Sequence, residues 1–375
     1  MIAGHLQLKK GYWYMVLQIR DEFGQPKSKW IATHLPEKGN KKSAEEMLIE
    51  ARTRYTAQQA MRERGGRIYF DEYMAQWVAG MWGKVSPTTY GSYYNCVRNS
   101  ICPFFKERGT ALFDLCAADI EAYYDHLRTR GVSNNTIIYH HVNIRKALQE
   151  AVRKGLIPTN AADRVERPRK EQYVAACYSA EEANRLLRAV QGDRLELVVT
   201  LALFYGLRRS EVLGLRWEAV DFVSHTIAIH HSINEATVSG VHSVIAQDKV
   251  KRQSSFRTLP LMEPIEKLLL ELRAQRYGVA LPPPDTYICV DERGELLRPN
   301  YLTQGFPKLL KKHGLRQIRF HDLRHSCANA LIANRVPLIE VQQWLGHSSI
   351  STTADLYSHL EYAVKERSAE TLKKI

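Results

Sequence analysis

The chain has 375 residues, 45% of them hydrophobic, enough for two to three domains with sizeable cores. Its 53 Lys and Arg against 40 Asp and Glu give a formal net charge of +13, which favours a polyanionic partner, nucleic acid before membrane. A membrane span, a signal peptide and a disulfide or zinc framework are all excluded as expectations: the longest apolar run is about eleven residues, MIAGHLQLKK lacks the form of a leader, and Cys96, Cys102, Cys116, Cys177, Cys289 and Cys327 form neither a Cys-x-x-Cys pair nor a metal-ligand spacing.

Residues 11–34 read as a β-hairpin. In WYMVLQIR the residues Trp13, Met15, Leu17 and Ile19 fall on one face and Tyr12, Tyr14, Gln18 and Arg20 on the other. DEFGQP supplies the turn, and KSKWIATH repeats the alternation, with Trp30 and Ala32 inward and Lys27, Lys29 and Thr33 outward. A helix follows from Ser43, with Ser43 as N-cap and Glu46 completing a capping box, and its Met47, Leu48 and Ala51 cover the sheet. The outer face, polar, aromatic and cationic, suits either a solvated sheet or a sheet that reads a DNA groove, with Arg20, Lys27 and Lys29 as the candidate DNA contacts.

Arg64-Gly65-Gly66 reads as a linker, and from Phe70 the pattern is helical. FDEYMAQWVAGMW comes first, then a segment capped by Ser86 with Pro87 at its first position, then AADIEAYYDHLRTR. The clearest helix runs from Ser133 to Lys154, stopped by Gly155, with Ile137, Ile144, Leu148 and Val152 as its apolar stripe. Tyr90, Tyr93 and Tyr94 read as core rather than a stacking platform for bases. DRVERPRKEQYV at 163–174 is a charged, Pro-bearing linker, and a further domain starts near Tyr178 with Ser179 capping a helix that carries Glu182. Strands are expected in TIAIHHSI, VHSVIAQ and SSFRTLPL, with helices from Pro264 to the end. The adjacent His230 and His231 face opposite sides of a strand, which is unsuited to a shared metal.

Three blocks carry chemistry. LVVTLALFYGL at 197–207 is apolar enough to be a buried helix, so Arg208 emerges from a core element and needs an anion or a carboxylate, for which Glu211 is at hand. HDLRHSCANAL places His321 and Arg324 on one face of a helix. LGHSSISTTADLYSH places His347 ten residues before Tyr357. Taken singly these are ion pairs and packing; taken together, imidazoles, guanidiniums and a phenol suggest phosphate chemistry with an oxygen nucleophile.

In order and spacing, GLRRSEVLGLRW, HDLRH and LGHSSISTTADLYSH resemble the catalytic boxes of the tyrosine recombinases, the phage-integrase family, with a pattern most like the integrases of conjugative transposons. The resemblance implies a multidomain, mainly α chain with small β-sheets: residues 1–66 an arm-type DNA-binding domain, 67–165 a helical core-binding domain, 166–177 a linker, and 178–375 an α+β catalytic domain with a C-terminal tail. It implies a metal- and ATP-independent, site-specific recombinase that acts on double-stranded DNA at core and arm sites. The expected assembly is a homo-tetramer, helped by a small accessory excision factor, in the bacterial cytoplasm at the nucleoid. Roles carried over are Arg208 and Arg324 on the phosphate, His321 as general acid/base, His347 as donor to the phosphate, Tyr357 as nucleophile and Glu211 as the support of Arg208. A hairpin lysine in a Lys-x-x-Ser-Ser-x-Arg-Thr-x-Pro-Leu context selects Lys251 as the acid for the leaving oxygen, with Lys249 as rival. A DNA-relaxing enzyme of the type IB topoisomerase kind and a non-catalytic DNA-binding regulator are the alternatives.

Overall fold

The computed structural model describes residues 2–20, 25–65, 68–171, 176–248 and 256–347. The chain forms two compact units, 1–172 and 173–375.

The first unit begins with a three-stranded antiparallel sheet, ordered β1 (Gly4–Lys9), β2 (Tyr12–Arg20), β3 (Pro26–Pro36). The sequence reading missed β1. Lys10 and Gly11, both at positive φ, make the two-residue turn that pairs Lys9 with Tyr12, and that turn replaces a loop before the hairpin. Helix α1 (Lys41–Gly65) covers one face, with Leu48 and Ala51 packed against Ile2, Met15 and Leu17, and Ala44 also buried. It starts earlier than expected. The Asn40 carbonyl accepts the first helical bond from Ala44, so Ser43 lies inside the first turn rather than capping it, and Met47 stays exposed.

The register of β3 is the larger correction. Trp30 lies opposite Val16, and Lys29 and Lys27 lie opposite Leu17 and Ile19. Trp30 therefore stands on the open face, 46% exposed, and Thr33 is buried. Lys27 and Lys29 share the helix-side face, where Lys29 Nζ sits 5.2 Å from the Tyr55 ring. A one-residue change of register moves every side chain to the other face, and alternation within one strand does not specify it.

The helical part contains α2 (Phe70–Ala79), α3 (Pro87–Cys96), α4 (Cys102–Arg108), α5 (Ala117–Thr129) and α6 (Asn134–Arg153). Ser86 Oγ accepts from Thr89 N with Pro87 in the first turn, and Ser133 caps α6 through Thr136 N. Between α3 and α4 the residues Val97–Ile101 form a wider π turn, in which Cys102 N reaches back to the Val97 carbonyl. Pro103 follows and has no N–H for an ordinary helical bond, a local cause for the widening. The core gathers Phe70, Tyr73, Phe105, Tyr123, Ile144 and Leu148, with Tyr90 and Tyr93 also buried. Two buried hydroxyls are matched to imidazoles: Tyr123 with His140 at 2.7 Å and Tyr124 with His141 at 2.6 Å.

The second unit opens with α7 (Ala180–Ala189), where Ser179 and Glu182 form a reciprocal capping box. It continues with the apolar α8 (Glu196–Tyr205) and the short α9 (Arg209–Leu213). Strands β4 (Val220–Asp221), β5 (Thr226–Ile229) and β8 (Arg257–Pro260) make one sheet, and β6 (His231–Val238) with β7 (Val241–Asp248) a separate hairpin. TIAIHHSI thus splits between two sheets at His230, whose ring stacks on Phe256 while His231 meets Tyr287. Helices α10 (Glu263–Tyr277), α11 (Pro299–Lys312), α12 (Asp322–Ala333) and α13 (Leu338–Leu345) complete the described fold. Among the described residues no helix is long and apolar enough to cross a membrane.

Candidate active site

Helix α8 places the first site residue. Seven of its ten residues are buried, and the helix ends at Gly206, φ +61, where a Cβ would lie 2.3 Å from Leu345 Cδ2. Only glycine allows α13 so close, and the turn delivers Arg208 to the start of α9. Arg208 Nη1 donates to Glu211 Oε1 at 2.8 Å and Nη2 to the Gly346 carbonyl at 3.2 Å. About a third of the Arg208 side chain stays open to solvent, while Glu211 is fully buried.

Helix α12 places the next two. Its first turn is held by Asp322, buried, accepting from Arg319 N, Nε and Nη2. Arg324, 2% exposed, then reaches across to both neighbouring blocks. Nη1 donates to the Gly206 carbonyl at 2.6 Å, Nη2 to the Leu345 carbonyl at 2.8 Å, and Nε to His347 Nε2 at 3.2 Å. The blocks at 205–211, 321–324 and 345–347 thus meet through one guanidinium. Because His347 Nε2 accepts, its proton is assigned to Nδ1.

Charge in this cluster is one-sided. Among the described residues Arg208, Arg257 and Arg324 face one shared carboxylate, Glu211, and Arg257 Nη2 donates to its Oε2 at 2.9 Å. Burial and then the Arg208 guanidinium push the Arg324 pKa down from its ordinary value, with Glu211 opposing. Burial, followed by Arg324 and Arg208, lowers His347 to about 3. Burial, then the His325 ring and the Arg324 and Arg208 guanidiniums, lowers His321 to about 4, although part of its surface remains open to water. Both imidazoles are therefore neutral near pH 7. A partly buried surplus of guanidinium charge with neutral imidazoles beside it is a receptor for an anion with several oxygens. Entry of that anion would favour the protonated imidazoles and return His321 toward the range of a working acid/base.

Five of the expected residues, Arg208, Glu211, His321, Arg324 and His347, are thus in one place. Lys251, its rival Lys249 and Tyr357 lie outside the described residues, as does the tail that follows Tyr357. Arg20, Lys27 and Lys29 belong to the first unit, with only Arg20 on the open sheet face. Two residues were not singled out from the sequence. Arg257 figured in the sequence only as part of a strand and of the lysine's Ser-Ser-x-Arg-Thr-x-Pro-Leu context, with Phe256 before it and Leu259 two positions on as the signal of burial. His325 stands one turn after His321, its ring 5.2 Å away and perpendicular, with Nδ1 buried and unbonded among the described residues. Among the described residues no group of three or more His, Cys, Asp and Glu gathers as metal ligands do.

Residues 178–363 match the Phage integrase family, and residues 69–166 the phage integrase SAM-like domain. A tyrosine recombinase XerC-like protein of Caldanaerobacter subterraneus is 27% identical over 300 residues, 75% of either chain. The ICEBs1 integrase of Bacillus subtilis is 24% identical over 324 residues, 84% of this chain and 86% of that one. Among solved structures, the Tn1549 transposon integrase in complex with a circular intermediate DNA superposes with a TM-score of 0.69 at 19% identity, over 81% of this chain and 99% of that one. A lambda integrase tetramer bound to a Holliday junction superposes with a TM-score of 0.58 at 17% identity, over 94% of each chain.

Proposed function

We propose, from the premise that this chain belongs to the phage integrase family of tyrosine recombinases, that it breaks and rejoins double-stranded DNA at the ends of a mobile element. The observation that carries the reading is that Arg324 donates to His347 at 3.2 Å while Arg208 donates to the carbonyl of the adjoining Gly346 at 3.2 Å, so both guanidiniums converge on the 345–347 block. A phosphodiester repels nucleophiles through its charge and has a poor alkoxide leaving group. Arg208 and Arg324 offset the charge on the non-bridging oxygens, more strongly as the phosphorus becomes pentacovalent. His347 donates from Nδ1. The Tyr357 phenol gives its proton to His321 and its oxygen bonds to phosphorus as the bond to the 5′-oxygen breaks. Lys251 protonates that oxygen. The phosphotyrosine conserves the bond energy until the 5′-hydroxyl of a second strand attacks it, so no ATP is needed.

Within this reading, residues 1–66 form an arm-type DNA reader, 67–165 the core-binding domain, 166–177 the linker and 178–375 the catalytic domain. The open face of the N-terminal sheet supports the first assignment, because it displays Trp30, Tyr14 and Lys9, with Lys9 Nζ 5.4 Å from the Trp30 ring. A tetramer on paired sites completes strand exchange, and an accessory excision factor would set its direction.

The test is covalent trapping. A nicked duplex carrying the crossover site of the parent element should capture the wild-type protein on a 3′ end, and paired sites should recombine. Binding without capture would favour a regulator, and relaxation of plasmids without exchange between paired sites would favour a topoisomerase.

A further inference from the structure

Arg257 is the first residue of β8, directly after the segment that carries Lys249 and Lys251. Its side chain is 6% exposed, and its carboxylate partner among the described residues is Glu211. Glu211 is divided: Oε1 accepts from Arg208 Nη1, while Oε2 accepts from Arg257 Nη2 at 2.9 Å and from Arg208 N at 3.1 Å. Arg257 Nε and Nη1 are buried and meet no acceptor among the described residues. A Cβ on Gly346 would lie 2.8 Å from Arg257 Nη1, so the guanidinium is pressed against the same glycine whose carbonyl accepts from Arg208 Nη2. A buried cation so sparsely bonded contributes little to stability, since well-packed apolar side chains usually serve as well or better. Its geometry has a different consequence.

We propose that Arg257 is a positioning residue for the phosphate-binding Arg208. By occupying one oxygen of Glu211, it keeps the carboxylate from closing on Arg208 as a two-oxygen fork. Fork-to-fork pairing is the favoured arrangement of an isolated carboxylate and guanidinium. Without Arg257 that pairing would neutralise Arg208 and turn both of its Nη groups inward. With Arg257 in place, one Nη of Arg208 donates to the Gly346 carbonyl, and about a third of the Arg208 side chain stays open to solvent. A lysine at 257 would keep the charge and lose the planar donor that reaches Glu211 from β8. The inference rests on the recombinase reading, with Arg208 as a ligand of the scissile phosphate.

The experiment uses the full-length protein in single-turnover cleavage of the nicked crossover-site duplex, with an ordinary phosphate or a neutral methylphosphonate at the scissile position. Arg257→Met and Arg257→Lys should lower phosphodiester cleavage by about 10- to 100-fold, the range seen when the group that orients a ligating side chain is removed. Their mobility-shift affinities should match wild type. On the methylphosphonate, which carries no charge to offset, most of the defect should disappear. Adding Glu211→Gln to Arg257→Met should restore part of the lost rate, because the carboxylate that would close on Arg208 is gone. An equal defect on both duplexes, or a further loss in the double variant, would make Arg257 a scaffold residue and overturn the inference. Wild-type cleavage with unchanged Arg257→Met cleavage would do the same. A wild-type protein that forms no adduct on either duplex would overturn the recombinase reading and the inference with it.

Discussion

The open face of the N-terminal sheet and the guanidinium cluster of the second unit are both positively charged, and they hold that charge in opposite ways. On the sheet, Lys9 lies over the exposed Trp30 in water, where its charge is screened by salt and free to adapt. In the second unit, Arg324 is buried with three N–H groups engaged on Gly206, Leu345 and His347. The first arrangement suits attraction and tolerance; the second suits a single geometry whose donors need no rearrangement as charge develops. Total charge is therefore a poor guide to role, and solvent access separates the two uses.

The widest separation comes from removing chemistry while leaving charge alone. Tyr357→Phe should abolish the covalent adduct on the nicked duplex with DNA affinity intact, and any trapped Phe variant would break the assignment. Lys251→Ala should slow cleavage by about 10²–10⁴, the usual loss of a positioned acid. A 5′-bridging sulfur, which leaves without a proton, should rescue it, and rescue of Lys249→Ala instead would shift the register by two residues. Arg324→Ala should lower the rate by roughly 10²–10³ and also destabilise the second unit, because two backbone carbonyls lose their donor. A lower melting temperature together with the lower rate is the expected pair of readings.

The helical part of the first unit supplies a third case, polar groups buried neutral. His140 is lowered from 6.5 to about 4 by burial, with Tyr123 as its hydroxyl partner. The unfolded chain therefore binds the extra proton between those values, so stability is complete above about pH 6.5 and falls as pH drops toward 4, by a few kcal/mol at most. Melting temperature against pH should show this slope, and His140→Gln should flatten it. The smallest effect belongs to the sheet. Lys9→Ala should reduce the salt dependence of binding to element-end DNA by about one unit of log–log slope. Cleavage of core-site DNA should not change, and a rate defect there would erase the contrast between the two regions.

Local signals carried far in the sequence. Ser86 with Pro87, Ser133 with the Thr136 amide, and Ser179 with Glu182 announce helix starts because each is completed within a few residues. The apolar stretch before Gly206 announces a buried helix, and the resemblance of the three boxes to a known family picked out Arg208, His321, Arg324 and His347 as candidates. Tertiary structure decided the rest. The face that Trp30, Lys27 and Lys29 occupy depends on the register of β3 against β2, and β1 depends on a partner strand. The sharing of Glu211 joins residues 208, 211 and 257, and the Arg324 bonds span up to 118 positions. Backbone periodicity and capping are contacts between near neighbours, so residue order determines them. Pairings across tens of residues are selected only when the whole core packs, and the division of one buried carboxylate between two arginines is such a pairing.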